Sequence, residues 1–364
     1  MLACTASNRF DWEDAVAVTI QDVARHAGVS RSTVSYVLNG NRSISPKTIE
    51  RVRRSIEELG FHRHAGARSV RVGRSGVIAM SMPMVHGRRS AVQMPYVWAI
   101  LNAAQDVGLK VLALTDDDGE TAVRDAVSSA LVDGVIVMEI QRQDPRIKLL
   151  DELKCPTVLV GSPDDPQGLP CVDFDFTAAA LIAAQHLREF GHRHVGYLGP
   201  VSAALGYDVA YAVHAREAVL TSLRDLTGRS AVWADCDATP VNVGDSLERL
   251  LAQDPELTGL IVYNERAMPV VLHHLSRHGH RIPQDMSVIG IGYDDEAEYS
   301  IPPFTSVSLS ADDIARTAVV SLTQRIAGEA LPAHVSIPPE LRIRASTARN
   351  SKRDDTTRPA APTA

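Results

Sequence analysis

The sequence predicts a two-part chain: an all-α helix-turn-helix head, followed by an α/β two-lobed body built on parallel sheets. Three observations predict it. Charge is split along the chain. Between Thr19 and Ser75 eleven Lys/Arg stand against four Asp/Glu, a net of +7, which leaves −14 for the rest of a chain whose total is −7. The basic segment is punctuated as three short helices with a glycine turn after the first. From Ser75 onward, short continuous apolar runs alternate with longer amphipathic ones, the pattern of strands covered on both faces by helices. At 364 residues the chain is long for one domain and comfortable for two or three.

Residues 1–17 are expected to be a disordered extension, and residues 18–64 the helical head. Thr19 is a good N-cap for a first helix whose Ile20, Val23, Ala24 and Ala27 recur at helical spacing. Gly28 follows where a left-handed residue is wanted. Ser30 then caps a second helix, Arg31–Leu38, with an apolar stripe of Val34, Val37 and Leu38. A third begins at Ser45 with Pro46 in its first turn, turns Ile49, Val52, Ile56 and Leu59 inward, and stops at Gly60. Two short helices joined by a glycine turn of this length make a helix-turn-helix, whose second helix enters the major groove of DNA. Its outward side chains are Arg31, Ser32, Ser35 and Tyr36, and Arg31 can fork onto guanine. Thr19, Ser30, Thr33 and Asn39 are short polar groups near helix ends, suited to phosphate oxygens. Each alone is as readily a cap or a surface hydroxyl. A basic head on an acidic body is the electrostatic footprint of a nucleic-acid module joined to something that is not one.

Residues 76–346 read as the body, after a hinge at 65–75. Buried parallel strands are expected at Val77–Met80, Val111–Leu114, Val135–Met138, Thr157–Val160, Val195–Leu198, Gly259–Val262 and Ser287–Gly290. That is too much chain for one compact sheet, so two similar lobes are expected. Such sheets bind ligands at the carboxyl ends of their strands, which two facing lobes place in a shared cleft. Asp175, Asn264 and Asp294 stand just past strand ends and could hold hydroxyl groups; each is equally suited to cap a helix.

Val18–Ala24, Ala27–Ser30, Thr33–Ser35 and Val37–Asn39 closely resemble the DNA-binding head of the lactose/galactose repressor family of bacterial transcription regulators. The resemblance runs on through Ser45, Thr48, Val52, Ile56 and Leu59–Phe61 and covers about Val18 to Thr347. It implies a homodimer that binds a pseudo-palindromic operator, and a sensor resembling periplasmic sugar-binding proteins that holds a small-molecule effector between its lobes. It adds Ser45, Thr48 and His64 to the DNA-facing set and makes Val70 the apolar wedge of a hinge helix. For the effector it implies Asp175, Asn264 and Asp294, with Ser90, Gln93 and Tyr211 at positions where the family carries other groups. Departures are Tyr36 for a recognition-helix arginine, Tyr211 for an arginine clamp, and Phe176 for an asparagine. Tyr211 and Phe176 together favour a ligand larger or less polar than a simple hexose.

Other readings are weaker. A transport-type binding protein without operator specificity would share the body, but would need a signal peptide and lack the helix-turn-helix. An enzyme would need a nucleophile elbow, a phosphate loop or a metal set, and no such motif is present. His273, His274, His278 and His280 are the most metal-like cluster; no cysteine or nearby acid completes them in sequence, so no metal and no cofactor is expected. Four cysteines without paired spacing fit reduced thiols in a cytoplasmic protein. Residues 347–364 are expected to be a disordered tail.

Overall fold

The structure, a computed structural model, describes residues 18–39, 44–61, 74–83, 93–116, 119–201, 203–204, 207–237, 239–264, 266–292 and 294–350. It divides into two compact units between Ser75 and Gly76. No helix among the described residues is long and apolar enough to cross a membrane.

The first unit holds three helices: α1 (Ile20–His26), α2 (Arg31–Asn39) and α3 (Pro46–Glu58). A capping box starts α1: the Thr19 hydroxyl accepts from the Asp22 amide, and the Asp22 carboxylate accepts from the Thr19 amide at 3.0 Å. Gly28 takes φ +61°, which lets the chain turn sharply out of α1. Val23, Ala24, Ala27, Val34, Val52 and Phe61 close a small core. His64, Val70 and the rest of the hinge lie outside the described residues, as does the side chain of Asn39.

The second unit is two doubly wound lobes. In the first, β1 (Val77–Ser81), β2 (Lys110–Leu114), β3 (Gly134–Val137), β4 (Thr157–Val160), β5 (Cys171–Phe174) and β13 (His334–Ile337) form one sheet in the order β13-β5-β4-β3-β1-β2. Every neighbour in it is parallel. The second sheet runs β14-β12-β11-β10-β6-β9, with β6 (Val195–Pro200), β9 (Trp233–Cys236), β10 (Gly259–Val262), β11 (Ser287–Gly292), β12 (Thr305–Ser308) and β14 (Glu340–Arg342). Only β14 is antiparallel to its neighbour there. Helices α4 (Met94–Asp106), α5 (Glu120–Ser128), α6 (Pro145–Glu152) and α12 (Ala311–Ile326) pack on the first sheet. Helices α7 (Phe176–Glu189), α8 (Ala210–Thr227), α9 (Pro240–Gln253) and α10 (Met268–Arg277) pack on the second. The short α11 (Asp294–Tyr299) lies beside β12. The chain crosses between lobes three times, after β5, β12 and β13, so neither lobe is a continuous segment.

The expected disordered tail begins too early. Thr347 is buried, its hydroxyl lies 2.9 Å from His186 and 3.0 Å from the Thr305 hydroxyl, and Ala348 and Asn350 donate their amides to the Ser287 hydroxyl and the Phe190 carbonyl. The polar composition of 347–350 is matched by polar partners on the second lobe, so it orders without an apolar face. Cys155, Cys171 and Cys236 are buried free thiols. Burial pushes Cys155 and Cys171 up to about 11, so they stay protonated and unreactive.

Candidate functional site

Two surfaces are built from residues the sequence singles out. On the first unit, α2 presents Arg31 and Ser32 fully exposed and Thr33, Ser35 and Tyr36 half-buried, while Val34 on the opposite side is sealed in the core. Ser30 caps this helix: its hydroxyl accepts from the Thr33 amide at 3.1 Å and pairs with the Ser32 and Thr33 hydroxyls, each at 2.8 Å. Ser45 caps α3 in the same way, 3.3 Å from the Thr48 amide. The capping roles are therefore realised at Thr19, Ser30 and Ser45. These caps still leave hydroxyl-rich helix starts at the surface, where amide dipoles favour anions.

On the second unit, a cavity opens at the carboxyl ends of the strands of both lobes. The space between its walls, solvent-open mouth included, is about 660 Å³. Met138, Glu139 and Ile140 enter it just past β3, Val160 and Gly161 at the end of β4, and Asp173 and Phe174 at the end of β5. From the other lobe come Tyr263 past β10, Tyr211 from α8 and Leu309 past β12. Tyr96 from α4 completes an aromatic wall.

The aromatic rings form a chain across the lobes. Phe174 meets Phe176 edge-on with centroids 5.3 Å apart, Phe176 meets Tyr263 at 5.6 Å, and Tyr263 meets Tyr211 at 6.2 Å. Phe176 starts α7 immediately after a crossing of the chain, so its ring belongs to the seam. Two carboxyls face this wall, Glu139 and Asp173, and among the described residues no lysine or arginine lines it. Burial raises the Asp173 carboxyl above the usual carboxylate range, opposed in part by its hydrogen bonds and by His214 and His334. A raised carboxyl can donate as well as accept, which suits a hydroxylated ligand.

A buried ion pair fixes one edge of the cavity. Arg146 is 1 % exposed and grips Asp144 with Nε at 2.9 Å and Nη2 at 2.6 Å. Its remaining donors reach the carbonyls of Ser81 at 3.2 Å and Met138 at 2.9 Å, at the ends of β1 and β3. The loop that follows is paired to the other lobe. Ala210 donates its amide to Ile140 and Arg142 donates to Asp208, both at 3.0 Å, around an antiparallel bridge of Gln141 with Val209.

Among the described effector residues expected from sequence, Tyr211 alone lines the cavity. Asp175 caps α7, accepting from the Ala178 amide at 2.8 Å, and Asn264 ties Cys236 to the start of α10. Gln93 is buried at the entry to α4, one turn before Tyr96. Ser90 lies outside the described residues. Asp294 pairs with two arginines, Arg344 at 2.6 Å and Arg342 at 2.8 Å, and with the Ser306 hydroxyl at 3.1 Å. Although desolvation raises it, the Arg344 and Ser306 hydrogen bonds win and hold its carboxyl below the usual range. It neutralises charge carried by β14 and the strand's continuation. Glu139, Asp173 and Tyr263 were legible only as neighbours of strand ends, since the aim of each side chain depends on strand register, and Tyr96 was legible only as part of a helix.

Residues 19–64 match the model of bacterial regulatory proteins of the lacI family, and residues 184–347 match a periplasmic binding protein-like domain. The transcriptional regulator CelR of Thermobifida fusca is 30 % identical over 350 residues, covering 90 % of this chain and 98 % of that one. Catabolite control protein A of Priestia megaterium is 28 % identical over 342 residues, covering 91 % and 99 %. Among solved structures, a CelR–cellobiose complex superposes with TM-score 0.65 at 26 % identity over 90 % of this chain and 99 % of that one. The lac repressor dimer bound to operator and the anti-inducer ONPF gives 0.79 at 23 % identity, over 91 % and 99 %, a likeness of fold.

Proposed function

The chain belongs to the lacI family of bacterial transcription regulators, and from that premise we propose that it binds a pseudo-palindromic operator as a homodimer and is controlled by a saccharide of more than one ring. It is a DNA-binding regulator with an effector-binding body; its relatives are regulators rather than enzymes. Arg31, Ser32, Ser35 and Tyr36 read bases. Thr19, Ser30, Thr33, Asn39, Ser45, Thr48 and His64 contact phosphates, and Val70 is the wedge. The protein works in the cytoplasm and performs no catalysis of its own.

The observation that carries the effector class is the aromatic chain across the lobes, Phe174–Phe176–Tyr263–Tyr211, facing two carboxyls and, among the described residues, no lysine or arginine. Pyranose rings present apolar faces that lie on aromatic rings and hydroxyl edges that a carboxyl can bond, and they carry no charge for an arginine clamp to hold. The relative CelR, solved with cellobiose, supports a ligand of this kind.

Calorimetry of the full chain against glucose, a panel of disaccharides and aryl glycosides tests it. A disaccharide or glycoside is expected to bind at least tenfold more tightly than the monosaccharide, and Tyr211→Ala to weaken it by a further factor of about ten, ~1–2 kcal/mol. Tight binding of glucose alone, or of an anionic ligand, would overturn the effector class. Selection from a random DNA pool tests the operator. An enriched inverted repeat is expected, and salt-sensitive binding without enrichment would overturn sequence-specific reading.

A further inference from the structure

Away from the cleft, the outer layer of the second lobe brings together three side chains with metal-ligating atoms. Glu248 lies on α9, His274 on α10 and His278 at the C-cap of α10. One candidate ligand atom from each lies within 4.8 Å of the other two. The sequence sets a metal aside because no acid accompanies the histidines; the packing of α9 on α10 supplies one.

The local geometry is organised around these groups. His274 and His278 stand one helical turn apart, and their rings stack with centroids 4.1 Å apart and planes 23° from parallel. The Nδ1 of His278 is 2.8 Å from the His274 carbonyl oxygen. A carbonyl only accepts, so Nδ1 carries the proton and Nε2 is left with its lone pair. A second hydrogen bond of this sort is what usually fixes the tautomer of a metal-bound imidazole. The Nε2 of His274 is buried with no hydrogen-bond partner, a condition that most buried polar atoms avoid. The His274 ring rests against α9 at Gly244, where a Cβ would stand 3.1 Å from Cε1 and 3.2 Å from Nδ1. Glycine inside a helix is unfavourable, and here its missing side chain is what seats the imidazole. Glu248 lies one turn further along α9, on the same face as Gly244.

We propose that Glu248, His274 and His278 form a site for a divalent transition-metal ion of the zinc class, joining α9 to α10 on the surface of the second lobe. Two imidazoles and a carboxylate are a known tetrahedral zinc set with one position left for water, and imidazole ligands also suit nickel and copper. Glu248 and His278 are exposed, so both can turn inward to bond lengths of about 2.0–2.2 Å without disturbing the core.

The test is titration of the full-length, tag-free chain with Zn2+ by calorimetry, and with Co2+ by visible absorption. Wild type is expected to bind one ion saturably at this site and to show the intense bands of tetrahedral Co2+. Glu248→Gln and His278→Ala are each expected to weaken Zn2+ at least tenfold and remove those bands. His273→Ala and His280→Ala, which alter the flanking histidines only, should bind as wild type does. Metal-free melting temperatures equal to wild type show that Glu248→Gln and His278→Ala are folded. Zn2+ should then raise the melting temperature of wild type, His273→Ala and His280→Ala, and leave those of Glu248→Gln and His278→Ala unchanged. Absence of saturable binding, or equal affinity in wild type, Glu248→Gln and His278→Ala, overturns the site.

Discussion

On α2 a guanidinium and a phenol offer DNA different contacts. Arg31 is exposed and can fork onto O6 and N7 of a guanine, whereas half-buried Tyr36 has one hydroxyl and an apolar ring edge. Arg31→Ala is expected to cost about 1–3 kcal/mol at one base position and to relax preference there. Repeating the random-pool selection with the variant measures it: a half-site unchanged at every position would remove Arg31 from base reading. The sequence could place Arg31 because the helix-turn-helix is local, its caps and turn glycine all falling within about 40 residues of one another. It could not foresee the ion pairs of Asp294, whose partners Arg342 and Arg344 arrive on chain some 50 residues further on. Nor could it rank Asp173 and Glu139 above Asp175. All three flank strand ends, and only the register of β3 and β5 decides which face the cavity and which cap a helix.

Among the secondary-structure elements, those with continuous apolar runs were legible; interior β12 was missed because Thr305, Ser306 and Ser308 break its apolar run, and three further strands were missed for their place at a sheet edge. Each of β9, β13 and β14 is the edge of its sheet and is partly exposed, so its sequence lacks the buried run that betrays a central strand. The lobes' interleaving was hidden for the same reason, because β13 and β14 make the last crossing. The loop after β3 depends on the Arg146–Asp144 pair, both side chains nearly sealed from solvent. Arg146→Ala would leave the Asp144 carboxylate buried without its partner, and breaking such a pair costs about 3–5 kcal/mol. A urea midpoint lowered by that amount at unchanged slope is expected, and a shift under about 1 kcal/mol would show the loop relaxing into solvent. A second element-level prediction concerns acid. His186 bonds Thr347 at 2.9 Å, and His192 bonds both Thr258 and the Ala348 carbonyl at 3.0 Å. Burial lowers both imidazoles below the ordinary value of 6.5, against the pull of Glu189 on His186 and of the Ala348 hydrogen bond on His192. The unfolded chain therefore binds protons first. Stability is full above about pH 6.5 and falls as pH drops from there through the folded values. Hydrogen exchange between pH 7.5 and 5.5 should show residues 346–350 losing protection before the central strands; uniform protection across that range would refute it.

For the molecule as a whole, control requires a ligand that binds two arrangements of the lobes with different affinity, because a ligand indifferent to them shifts nothing. The structure shows one arrangement with a specific lock. The Ile140–Arg142 loop of one lobe is paired, backbone to backbone, with Asp208–Ala210 of the other. These bonds exist only while the lobes are at this separation, so they weigh directly on the equilibrium that an effector must shift. Arg142→Pro removes the amide that donates to Asp208, and Arg142→Ala keeps that amide while removing the side-chain pairs with Asp164 and Asp208. One backbone hydrogen bond is worth about 0.5–1.5 kcal/mol, which is roughly a 2- to 12-fold change in effector Kd. The proline variant should show that loss, and the alanine variant much less, since exposed ion pairs contribute little. The same equilibrium binds effector to operator by linkage. Whatever factor saturating effector imposes on operator Kd, saturating operator must impose on effector Kd. If Arg142→Pro changes effector affinity and leaves that coupling factor as it was, the lock holds the pocket alone. If it changes both, the paired loop is part of the switch that the operator reads.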